Sequence, residues 1–284
     1  GVCGHTTLPI LDAIYSEPKV RYIAVRHEQV AASMADGYAR VTGTHGVCLS
    51  HMGPSAANLI IGVATAYRDS SPVVAMTGNE ELPLLGRDVF NEWDQMSMFK
   101  AVTKWSFQVK TAGEIPGTMR RAFIRSLLGR PGPVHIDIPL DVSKGTVEVQ
   151  RVKKPYYDAY SSRAHPNREL SAKVLSMLLK AERPVLVAGA GVNWSGASRE
   201  LVATSEELFL PIVTTLAARG CIPETHPLFC GIYGRWGHKT ANDLVKNSDF
   251  ILGVGCRFSD TNTFRWTNIS ESATIVQVDI DPAE

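Results

Sequence analysis

Residues 53–79 read GPSAANLIIGVATAYRDSSPVVAMTGN, and this stretch decides the fold class. Its first part, 54–67, carries a helical pattern, and its second, 72–77, is a short apolar run bounded by turn residues. A strand that is apolar at consecutive positions is covered on both faces, which marks a parallel sheet with helices above and below it. The same alternation runs outward in both directions. Strands are expected at 19–25, 46–51, 72–77 and 133–138, with helices at 28–42, 54–67 and 115–128 between them. The last of these strands sits in GRPGPVHIDIPLDV, residues 129–142.

Residues 146–166 are polar, proline-bearing and aperiodic, the composition of a linker between domains. A second α/β pattern follows. A helix is expected at 167–181, then a strand in PVLVAGAG, a helix at 196–208, and strands in PIVTT, DFILGVG and TIVQVDI. The expected fold is therefore α/β with two doubly wound parallel-sheet domains, at 1–145 and 167–284.

Bulk properties narrow the function classes. A chain of 284 residues suffices for about two domains with cores of their own. Lys plus Arg number 29 and Asp plus Glu 28, so the net charge of +1 invites no nucleic acid or other polyanion. No apolar run in these residues is long enough to span a membrane, and a signal peptide is not expected. The five cysteines are odd in number and scattered, with no CxxC pair and no zinc spacing, so a metal site is not expected and a reducing cytoplasm is.

Open parallel sheets bind ligands beyond the carboxyl ends of their strands. Three loops leave such ends in the first domain: RHEQ at 26–29, SHMGPSAAN at 50–58 and TGNEE at 77–81. Glu28 stands in the first of them, at the start of a helix. On its position alone, two readings stay open. The carboxylate complements the helix dipole, or it is aimed into a site.

Four motifs then occur in order: RHEQVAASMADGYARVTG, GPSAANLIIGVATAYRDSSPVVAMTGN, VTKW and GRPGPVHIDIPLDV. Together they resemble the pyrimidine-binding domain of thiamine-diphosphate-dependent enzymes, on the branch holding acetolactate synthase and the 2-oxo acid decarboxylases. The resemblance continues through RPVLVAGAGV, TTLAARG and GCRFSD, which look like that family's central, Rossmann-like domain. It implies that Glu28 hydrogen-bonds N1′ of the cofactor's aminopyrimidine and favours the imino tautomer that deprotonates the thiazolium carbon. A carboxyl pKa raised by an apolar cavity is expected to serve that role. By the same resemblance, Gly4, Gly53, Pro54 and Asn58 belong to loops lying against the cofactor.

The chain also departs from the acetolactate synthase pattern. Histidine at His51, where the synthases usually carry a hydroxyl residue, resembles the decarboxylase branch, and His5 matches a polar active-site position there. Both are candidate proton carriers, since imidazole titrates near neutral pH; packing or capping is the alternative for each. Asn91 stands where the synthases have glutamine on the substrate side. In the second domain, GAGVNWSG is not the compact dinucleotide form and GCRFSDTNT lacks the acidic residue and arginine of the synthase form. FAD or ADP is thus allowed there by resemblance but disfavoured by these departures.

The family holds diphosphate and Mg²⁺ on a third domain through a Gly-Asp-Gly motif, and that triplet does not occur in these residues. Both ends look cut, so a fragment of a longer polypeptide, inactive alone, is expected. The resemblance implies a homodimer or tetramer completed by the missing C-terminal diphosphate-binding domain. The expected function is thiamine-diphosphate-dependent cleavage or carboligation of a 2-oxo acid. The rival readings are a catalytically silent or regulatory assembly chain and a nucleotide-binding module.

Overall fold

The computed structural model describes residues 1–148 and 166–284, which fall into two compact units, Gly1–Ser162 and Arg163–Glu284. Most of the expected linker, 149–165, lies outside the described residues.

The first unit runs α1 (Leu8–Ser16), α2 (Glu28–Thr42), β1 (Gly46–Ser50), α3 (Pro54–Arg68), β2 (Val73–Asn79), α4 (Gln95–Lys100), β3 (Trp105–Gln108), α5 (Ile115–Leu127), β4 (Val134–Pro139) and α6 (Leu140–Lys144). Its sheet has the order β1-β2-β4-β3 and every pairing is parallel. Successive side chains of β2 point to opposite faces. Val73 and Ala75 pack with Ala31, Ala32, Leu59 and Val63 of α2 and α3, while Val74 joins Ile136, Ala122 and Val142 on the other side. Small residues bring the elements close: a Cβ on Gly62 of α3 would press on Ala32 of α2, and one on Gly46 would overlap the Ala35 carbonyl.

One expectation is corrected here. Residues 19–25 form no strand, and they are not buried on both faces: Val20 is 50% and Ile23 43% exposed. Among the described residues only Gly1 lies along their edge, its amino group donating to the Ile23 carbonyl at 2.8 Å and its carbonyl accepting from the Val25 amide at 3.1 Å. An apolar run becomes a strand only where a neighbouring backbone supplies a ladder, and among the described residues Gly1 supplies just these two bonds. Conversely, β3 was not anticipated. It lies at the sheet edge with every residue half-buried, so it never needed the continuous apolar run that betrays an interior strand.

The second unit runs α7 (Arg168–Leu178), β5 (Pro184–Ala188), α8 (Ala190–Ser195), α9 (Ser198–Leu208), β6 (Ile212–Thr214), β7 (Phe229–Ile232), α10 (Lys239–Lys246), β8 (Phe250–Val254), α11 (Asp260–Thr263) and β9 (Thr274–Val278). The sheet order β7-β6-β5-β8-β9, parallel throughout, places a topological switch point between β5 and β8. Leu186, Ile212 and Leu252 face one core, and Val185, Val213 and Ile251 the other. Edge strand β7, the short apolar run FCGI, was not anticipated either. Among the described residues no helix is long and apolar enough to cross a membrane.

Candidate active site

The carboxyl ends of β1 and β2, the 3₁₀ turn His5–Thr7 and the N-terminus of α2 supply one cluster of polar groups in the first unit. Helix α2 opens with His27 as its cap, the imidazole Nδ1 accepting from the Gln29 amide at 3.2 Å, so Glu28 is the first helical residue. The Glu28 side chain is 9% exposed. Its Oε1 accepts from Ser55 Oγ at 2.6 Å and its Oε2 from Asn58 Nδ2 at 3.0 Å, both from the first turn or so of α3. Burial pushes the carboxyl up, but Ser55, the backbone, Asn58 and His27 together hold it below the usual value of 4.5. This corrects the expectation of a raised pKa: the pocket wall is polar, and hydrogen bonds to the charged form outweigh burial.

Helix α3 starts from Gly53, whose φ of 59° and ψ of −121° belong to a region that glycine alone enters freely. A Cβ there would overlap the backbone carbonyl of Asn91. Pro54 takes the first helical position, where its missing N–H costs nothing. The structure therefore brings Gly53, Asn58 and Glu28 together and seats the Asn91 backbone against the turn.

His51 follows β1 directly. Its Nδ1 and Thr6 Oγ1 are 2.6 Å apart, and its ring meets that of His5 edge to face, with centroids 4.8 Å apart. Gly4 is required beside it, because a Cβ would run into the His51 ring. His5 Nε2 lies 3.4 Å from Glu80 Oε2. The His51 imidazole is held below the usual 6.5, first by burial and then by His5, with Glu80 and Glu28 opposing. Of the residues singled out in the sequence, Glu28 opens α2, Pro54 and Asn58 lie at the start of α3, His5 is in the 3₁₀ turn, and Gly4, His51, Gly53 and Asn91 are in loops. Ser55, Thr6 and Glu80 were passed over, although Ser55 and Glu80 stand within stretches already quoted. Gln95, whose Oε1 accepts from the Gly53 amide at 2.9 Å, carries no local signal, since its role appears only when α4 docks on β2.

In the second unit the glycines of VAGAGV have a packing explanation. Cβ atoms on Gly189 or Gly191 would collide with the backbone of Gly255, and the Gly191 amide donates to the Gly255 carbonyl at 3.1 Å. The two loops at the switch point therefore lie backbone against backbone. Among the described residues no group of three or more His, Cys, Asp or Glu could hold a metal ion.

Comparisons with known proteins fit this geometry. Residues 1–98 match the model of the thiamine pyrophosphate enzyme N-terminal TPP binding domain, and residues 171–284 that of the thiamine pyrophosphate enzyme central domain. The chain belongs to the thiamine pyrophosphate enzyme family. It is 44% identical, over its whole length, to a probable acetolactate synthase large subunit of Methanocaldococcus jannaschii, of which it covers 48%. It is 39% identical to the acetolactate synthase large subunit of Corynebacterium glutamicum, covering 45% of that protein. With the acetolactate synthase large subunit of Haemophilus influenzae the identity is 38%, and 50% of that protein is covered. The chain spans about half the length of the curated relatives it matches.

Proposed function

We propose that this chain forms part of an acetolactate-synthase-like enzyme that cleaves or joins 2-oxo acids with thiamine diphosphate. The observation that carries the reading is the Glu28 carboxylate, placed at a helix start beyond the strand ends and held by Ser55 and Asn58. Thiamine diphosphate, when bound, supplies a carbon nucleophile that adds to the 2-oxo acid carbonyl. The residues present fit its aminopyrimidine: each Glu28 oxygen accepts one bond and keeps a lone pair for a ring N–H. Ser55 and Asn58 orient that carboxylate, and Glu28 holds or shares a proton with the ring nitrogen. His51, with Nδ1 engaged by Thr6, is assigned proton transfer at Nε2, and His5 beside Glu80 lies within reach of relaying it. That assignment favours protonation of the product over carboligation. Asn91 is assigned to the substrate side of the Gly53 turn.

Diphosphate and Mg²⁺ are assigned to residues outside this chain, on a C-terminal diphosphate-binding domain. The four apolar side chains Val30, Met34, Tyr38 and Val41 form a stripe along α2, between 44% and 88% exposed. Their spacing puts them on one helix face, and the proposal assigns that face to a homo-oligomer contact, in a dimer or tetramer. No FAD or ADP is included, because contact between the Gly189–Gly191 and Gly255 loops already accounts for the glycines. The cytoplasm is the proposed compartment; all five cysteines are free.

The test is thiamine diphosphate binding with Mg²⁺, by calorimetry, on a polypeptide extended to the relatives' full length, followed by turnover of a 2-oxo acid panel. Binding and turnover lost in Glu28→Gln support the reading. Failure to bind the cofactor would favour the silent assembly chain.

A further inference from the structure

Behind the site lies a buried carboxyl that the proposed chemistry does not use. Asp137 of β4 is fully buried. Its Oδ1 accepts from Thr77 Oγ1 at 2.8 Å and Gln95 Nε2 at 2.7 Å, and its Oδ2 from Asn79 Nδ2 at 2.8 Å and Gln108 Nε2 at 2.7 Å. Burial raises the pKa of this carboxyl, while the donors pull it back. A buried carboxylate is expensive, and apolar packing would serve stability as well or better. Its geometry shows what it does instead.

Two of the four donors pass the constraint onward. The Gln95 amide nitrogen, bonded to Asp137 and to the Gly78 carbonyl at 3.0 Å, fixes the direction of its own Oε1, which accepts from the Gly53 amide at 2.9 Å. Gly53 launches α3, and α3 carries Ser55 and Asn58 onto Glu28. Asn79, with Nδ2 on Asp137, turns its Oδ1 to the Glu80 amide at 2.9 Å, and Glu80 faces His5 and through it His51. The other two donors lead elsewhere. Thr77 Oγ1 meets His135 Nε2 at 2.9 Å, and the Gln108 amide oxygen meets Lys110.

We propose that Asp137 is a positioning residue that sets both halves of the site, through Gln95 to the clamp on Glu28 and through Asn79 to the Glu80–His5–His51 group. The inference rests on the reading of Glu28 and His51 as site residues, yet it is testable without any cofactor. A residue that merely stabilises the core would loosen everything alike. A positioning residue with two outgoing arms allows each arm to be cut alone.

The experiment is NMR on the chain itself, reading the exchange of the Gly53 amide and the titration of the Glu28 carboxyl and His51 imidazole. Around these groups stand His27, Ser55 and Asn58 for Glu28, and Thr6, His5, Glu80 and Glu28 for His51. Gln95→Met should speed Gly53 amide exchange by roughly tenfold and move the Glu28 titration upward, leaving His51 in place. Asn79→Leu should lower the His51 titration further, as Glu80 loses its anchor, and leave Glu28 in place. Asp137→Asn should move both; if it does not fold, the two single-arm variants decide. Gln108→Met removes an equal donor from Asp137 but leads to neither arm, so it should move neither.

The proposal fails if Gln95→Met leaves Gly53 and Glu28 as in the parent chain, or if Gln108→Met shifts Glu28 and His51 as much as the other variants do. The split pattern in a protein whose full-length form binds no thiamine diphosphate would support the wiring and overturn only the functional reading.

Discussion

Asn58 Nδ2 donates to Glu28 Oε2 at 3.0 Å, joining residues 30 apart in sequence across the start of α3 and the start of α2. The contact exists because β1 lies between the two helices in the chain and sends both helix starts to the same end of the sheet. Parallel α/β winding always returns its loops to one edge. The polar residues gathered there are therefore close in space whatever their sequence separation.

If Glu28 exchanges a proton with the cofactor ring, its replacement has a direct kinetic signature. Glu28→Gln in the full-length protein should retain the fold and slow exchange of the cofactor C2 proton by about 10²–10⁴-fold, the range for a positioned acid or base. Deuterium exchange followed by NMR measures it. Exchange at the parental rate would remove Glu28 from the mechanism.

Glu28 also predicts a pH dependence of stability. Its folded pKa lies below 4.5, so its stabilising contribution is fully present above about 4.5 and is lost as pH falls through the folded value. Asn58→Leu and Ser55→Ala should shrink that contribution and raise the Glu28 titration toward the ordinary value. Urea unfolding at a series of acidic pH values, compared with Glu28→Gln, checks both sign and window.

Gly53→Ala should be among the more damaging single-methyl additions in the chain. The backbone at φ 59° and ψ −121° disfavours any Cβ, and the added carbon meets the Asn91 carbonyl rather than a flexible side chain. A loss of about 2–4 kcal/mol in chemical denaturation is expected. Gly86→Ala shares the positive φ but meets no atom within 4 Å, and should cost less.

His135 should behave as a neutral core residue. It is fully buried, stacks on Phe99 at 3.8 Å with an interplanar angle of 9°, and burial pushes its pKa down to about 3. Ser106 Oγ at 2.8 Å from Nδ1 and Thr77 Oγ1 at 2.9 Å from Nε2 fit a neutral ring with one donor and one acceptor. Its imidazole signals should stay those of the neutral form well below pH 6.5. Because the folded value is depressed, its contribution to stability is complete above about 6.5 and declines as pH falls toward about 3. His135→Gln should flatten that acid slope in a denaturation series.

Strands that read as apolar runs, edge strand β1 among them, and the long helices were legible in the sequence because each carries its burial in its own periodicity. Strands β1, β2, β4, β5 and β8 are short apolar runs, and α2 and α3 begin and end within a residue of their expected bounds. Residues 19–25 misled for an instructive reason. Apolar content signals a wish for burial, whereas a strand needs a backbone partner along its length, and among the described residues Gly1 alone pairs with this run. Edge strand β3 hid behind the opposite fact, that half-buried residues need no apolar run.

The site divides along the same line. Glu28 stood out by its place at a helix start, and His51, Gly53 and Asn58 by the match of their short motifs to the family's loops, because such motifs are local features. Asp137, Gln95 and the direction of the Glu28 pKa were decided only by tertiary structure. Local propensity acts over a few residues. A buried carboxylate acquires its donors from β2, β3 and α4 at once, and the balance of burial against hydrogen bonds exists only after those elements have packed.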